Sequence, residues 1–150
     1  MNGDSRLGRV VIILLAIFLL VAVGFAISSR SNNYDMKHPI LDEVRQNFSK
    51  LNPKYALIPL RSGDSAYTEN KEVITLCLVD PDSGKFYDMN TIMYVALHEL
   101  AHVLTPEGKE EHGDAFKQNF SDLLRQGSQI GFYNPRKSIP STYCKVPTRK

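Results

Sequence analysis

The stretch Asp88–Pro106, DMNTIMYVALHELAHVLTP, decides how the chain is read. Ile92, Met93, Ala96, Leu97, Leu100 and Leu104 recur at three- and four-residue spacing, which predicts a helix with one core-facing stripe. Asp88 or Asn90 can cap its start, and Pro106 and Gly108 mark its end. Within the helix, His98-Glu99-Leu100-Ala101-His102 has the H-E-x-x-H form. Positions i and i+4 of a helix share a face, so both imidazoles can bind one ion. Glu99 lies about a quarter turn away, able to reach a water on the metal more easily than the metal itself, which suits a general base.

Catalytic zinc takes three protein ligands and keeps a position for water. His112, at the start of the next predicted helix and followed by Gly113, is the natural third ligand, with Glu107, Glu110, Glu111 and Asp114 as competitors. His38 lies far from this cluster in the sequence and reads as incidental. The chemistry predicted is peptide hydrolysis by zinc-activated water, with Glu99 taking the proton. A donor for the developing oxyanion is also needed, and Tyr133 and Tyr143 qualify by side-chain chemistry.

Around this centre the pattern predicts an α+β domain over residues 39–150. Ile40, Leu41, Val44 and Phe48 give a helix of about ten residues that Asn52-Pro53 stops. Tyr55 to Leu60 reads as a short strand and Arg61 to Asn70 as a loop. Glu72 to Val79 reads as a strand and Asp80 to Gly84 as a turn leading into Lys85-Phe86-Tyr87, together a hairpin. The exposed edge of that strand could hold an extended substrate by backbone pairing. A second helix is expected from about Asp114 to Arg125, with Phe116, Phe120, Leu123 and Leu124 on one face, and an irregular tail after Gly127.

Val10 to Ile27 is an uncharged run of 18 residues, long enough for a transmembrane helix over 10–27 behind an N-terminal flank at 1–9, with 28–38 as a tether. A cleaved signal peptide is the competing reading. The expectation is a single-pass membrane protein touching lipid through 10–27; Arg6 and Arg9 before the span and Arg30, Lys37 and Arg45 after it leave the orientation undecided. Of 18 basic and 16 acidic residues, Arg6, Arg9, Arg30 and Asp4 precede Ser31, leaving 15 of each sign beyond it. That balance argues against strong nucleic-acid binding. Arg136, Lys137, Lys145, Arg149 and Lys150 form an acid-free basic end that could favour phosphate or anionic lipid. Cys77 and Cys144 lack zinc-site spacing; Cys77 reads as a buried hydrophobe, and a bridge is open only in an oxidising compartment.

The strand Ile74 to Leu78, Phe86-Tyr87-Asp88, the segment Met93 to His102, His112-Gly113, the Phe116 to Leu124 helix and Tyr143-Cys144 together resemble the WLM and SprT-like zinc metallopeptidases. Within that group the chain is similar to small metallopeptidase-like proteins of large DNA viruses. The resemblance implies a compact zincin-like fold, zinc held by His98, His102 and His112, Glu99 as catalytic acid and base, and a protein or peptide substrate. It also implies an alternative role on DNA-bound proteins. The balanced charge and the apolar segment favour a membrane-proximal substrate instead, with a virion or host internal membrane as the setting. A structural or binding role that reuses the same fold is the remaining alternative.

Overall fold

The computed structural model describes residues 15–19, 37–106, 108 and 112–148. The chain divides into two units, Met1–Asn33 and Tyr34–Lys150. In the first, residues 15–19 are helical with exposed side chains. The expected transmembrane helix over 10–27, and the single-pass membrane localisation built on it, are corrected here: no helix among the described residues is long and apolar enough to cross a membrane. The rest of 10–27 lies outside the described residues.

The second unit is α+β. Helix α1 (Pro39–Leu51) starts where His38 accepts the Ile40 N–H and Pro39 supplies a preset φ at the first turn. Its Leu41, Val44 and Phe48 are fully buried, as their spacing predicts. Past Asn52 the expected strand is a 3-10 turn over Pro53–Leu57. The cause is local: the Asn52 side chain accepts the Lys54 N–H and Pro53 holds the backbone in a turn, which short apolar residues without β-branching do not resist.

Strands β1 (Leu60–Ser62), β2 (Tyr67–Glu69) and β3 (Val73–Leu76) form one sheet in the order β1-β3-β2. β1 runs parallel to β3, and β2 antiparallel to it. The stretch read as a loop therefore contributes most of two strands. Asn70 and Lys71, both at positive φ, turn β2 into β3. Arg61 and Glu69 pair at 2.8 Å from the two edge strands across central β3. The expected strand to Val79 stops at Leu76, and beyond it only a Val79–Phe86 bridge spans the Asp80–Gly84 turn.

Helix α2 (Met89–Leu104) packs on this sheet. Asp88 caps it, its carboxylate accepting the Asn90 and Thr91 N–H groups and the Thr91 hydroxyl. Ile92, Met93, Ala96, Leu97, Leu100 and Ala101 are fully buried. Helix α3 (Asp114–Ile130) outruns the expected end near Arg125 by more than a turn. Gly127 does not stop it; a Cβ there would lie 2.7 Å from the Phe132 ring, so glycine serves close packing, and Gly131 at φ +97° makes the left-handed stop.

The tail folds back as a small hairpin of β4 (Thr142–Tyr143) and β5 (Val146–Pro147), turned by Cys144 and Lys145 at positive φ. Cys144 is bridged to Cys77 just after β3. Cys77 is thus buried as expected, but as half of a disulfide. Two further bonds fasten the hairpin: the Tyr143 hydroxyl donates to the Cys77 carbonyl, and the Cys144 N–H donates to the Tyr87 hydroxyl at 2.9 Å.

Candidate metal centre

His98 and His102 project from one face of α2, and His112 meets them from just ahead of α3. One ring nitrogen from each lies within 4.8 Å of the others, and the Nε2 atoms of His98 and His112 are 3.3 Å apart. Three imidazoles converging at that separation suit one divalent ion such as zinc. Of the competing ligands, Asp114 opens α3 without joining the group, while Glu107, Glu110 and Glu111 lie outside the described residues.

An aromatic floor holds the trio. The Phe116 ring sits 4.9 Å from His98, 4.4 Å from His102 and 4.8 Å from His112, and Phe120 stands 5.2 Å from His98. Phe116 is itself buried, so the imidazoles rest on a fixed surface. The end of α2 is tied down as well: Lys71 donates to the Thr105 carbonyl and Asn119 of α3 donates to the Thr105 hydroxyl. Helix α2, which carries His98 and His102, and helix α3, which His112 precedes, are thereby joined beside the site.

Glu99 faces the sheet and is only 6% exposed. The Thr68 hydroxyl of β2 lies 2.9 Å from its Oε2 and 3.0 Å from its backbone carbonyl. Burial raises the Glu99 carboxyl to about 7, against the opposing pull of the Thr68 hydrogen bond. Glu99 and two of the histidines open on a cleft of about 310 Å³ whose walls include Tyr94 from α2 and Tyr143, Val146 and Pro147 from the tail hairpin.

The two expected oxyanion donors are placed differently. Tyr143 borders the cleft, but its hydroxyl is engaged by the Cys77 carbonyl. Tyr133 lies in a neighbouring cavity, its ring 6.3 Å from that of Tyr94. Tyr94, one turn before His98 on the same face, borders the cleft directly. The expected substrate rail also moves: β3 is central and paired on both sides, so the edge beside Glu99 belongs to β2.

Thr68, Phe116 and Tyr94 are the neighbours of the histidines and Glu99 that sequence reasoning does not single out for the site. Tyr94 was detectable as i−4 from His98. The spacing of Phe116 marks it only as a core residue of its helix, and Thr68 sits in a short strand with no periodic signal.

No family model matches the chain, and no solved structure matches it. The chain is 40% identical over 91 residues to an uncharacterized protein of Invertebrate iridescent virus 6, which covers 59% of this chain and 50% of that protein. It is 43% identical over 81 residues to an uncharacterized protein of Invertebrate iridescent virus 3, covering 54% and 50%. An uncharacterized protein of Acanthamoeba polyphaga mimivirus is 30% identical over 115 residues, covering 75% of this chain and 57% of its own length. The chain thus spans about half the length of the curated relatives it matches, and what it is similar to is a set of viral proteins whose chemistry their names leave unstated.

Proposed function

We propose that the chain is a zinc-dependent endopeptidase of the WLM/SprT-like kind. The observation that carries this reading is the convergence of His98, His102 and His112 within 4.8 Å, with buried Glu99 opening on the same cleft. Zinc on three imidazoles would supply Lewis-acid polarisation of a carbonyl and of water. Glu99 then accepts the proton of the attacking water and delivers it to the leaving amine. Thr68 orients that carboxylate through its hydroxyl. Tyr94, in the wall of the cleft, is assigned as donor to the developing oxyanion, and β2, at the sheet edge beside Glu99, offers backbone groups for an extended peptide.

Zinc content and cleavage of an unfolded test protein, measured for the wild type and His112→Ala, test this reading. One zinc per wild-type chain with cleavage, both lost in the variant, is the expected result. Stoichiometric zinc without cleavage would favour a binding role, and an unchanged variant would remove His112 from the site.

A further inference from the structure

Next to the histidine cleft lies a second cavity of about 310 Å³, and Tyr94 and Thr148 stand in the walls of both. A peptide residue beside one held at the metal could therefore enter it. The charged residues lining this cavity are Arg136 and Lys137, with no carboxylate among its lining. The carboxylate next to this lining is that of Asp88. Lys137 is occupied, its Nζ 2.8 Å from the Asp88 carboxylate that caps α2. Arg136, by contrast, is exposed and pairs with no carboxylate among the described residues.

The loop carrying Arg136 is fixed to the helix that carries the histidines. Asn90, buried in the first turn of α2, accepts the Asn134 N–H at 2.7 Å and donates to the Asn134 carbonyl at 3.2 Å. The Asn134 side chain in turn accepts the Arg136 N–H at 2.9 Å. The clamp fixes the backbone from which Arg136 extends, and an exposed guanidinium on such a base suits recognition of a carboxylate. We propose that this cavity is a specificity subsite for an acidic side chain, Asp or Glu, flanking the scissile bond, with Arg136 as the specificity-determining residue. The proposal rests on the peptidase reading.

The test uses zinc-loaded full-length chain. Paired fluorescent peptides that differ only by Glu or Lys at each position around a cleaved bond are compared by kcat/KM in the wild type. They are compared by equilibrium binding in a Glu99→Gln background. At one position Glu should be favoured over Lys by about fivefold, with the preference falling as salt rises. Arg136→Gln should abolish the preference and Arg136→Glu should reverse it, each variant still binding one zinc. A wild type with no Glu preference, a preference that survives Arg136→Glu, or no binding of either peptide series overturns the proposal. Absence of cleavage by the zinc-loaded wild type would instead refute the peptidase reading, and the binding comparison would still decide the subsite.

Discussion

Reduction of the Cys77–Cys144 bridge should destabilise the second unit by a predictable amount. The bridge joins residues separated by 67 positions, and closing a loop of that length in the unfolded chain is worth about 4 kcal/mol in the chain-entropy account. The contacts that fasten the hairpin do not all depend on sulfur. The Tyr143 hydroxyl on the Cys77 carbonyl, the Cys144 N–H on Tyr87, and the Tyr87 and Tyr143 rings at 4.6 Å persist after reduction, so the folded state should survive. The loss should therefore fall on the unfolded-state side of the balance. In urea denaturation of the oxidised and reduced full chain, the midpoint should drop by about 2 to 3 M at a slope of about 1.5 kcal/mol/M. Cys77→Ala with Cys144→Ala should show the same loss or slightly more, since two buried sulfurs are also removed. A midpoint shift below about 0.5 M would show that the bridge does not constrain the unfolded chain as argued.

Asp88→Ala should cost about 1 kcal/mol of stability by urea titration, the usual loss for an N-cap. Burial disfavours the charge on Asp88, but Lys137 and the Thr91 hydroxyl and N–H outweigh it and hold the carboxyl below its ordinary value. The folded state thus favours the ionised form, and the gap between wild type and variant should be full above pH about 4 and close as pH falls through the lower folded value. Gly127→Ala places a Cβ 2.7 Å from the Phe132 ring, and the overpacking should outweigh the gain in helix propensity for a net loss of about 1 kcal/mol in thermal melts. A stabilised variant would mean that the ring yields freely. Tyr94→Phe should retain stoichiometric zinc while kcat falls by about 10²-fold, as for loss of one oxyanion donor; an unchanged kcat would assign Tyr94 to packing.

The parts legible in the sequence are those with a local cause. Helix α2 is set by a capping Asp88, an apolar stripe at helical spacing and a following Pro106, and the same spacing places His98 and His102 on one face. His112 was identifiable because few residue types complete such a ligand set. The sheet was less readable. Its strands are three or four residues long, and β1 and β2 are held by pairing with β3 rather than by any alternation of their own. Tyr55 to Leu60 misled because a short apolar run carries no period, and the local Asn52-Pro53 turn decided its shape. Gly127 resembled a stop, yet its meaning is a close approach by Phe132 that only the tertiary fold reveals. The same holds for the bridge: two cysteines far apart in sequence have no spacing signature, and the hairpin that unites them also walls the cleft.

In the proposed zinc peptidase, Glu99 is the proton-transferring group. Its most direct test is the rate of cleavage of an unfolded protein by zinc-loaded full-length chain, wild type against Glu99→Gln, with zinc content measured on the same samples. One zinc per chain is expected in both, with a loss of at least about 10²-fold in rate for the variant, as for removal of a general base. Equal rates in the two would contradict it.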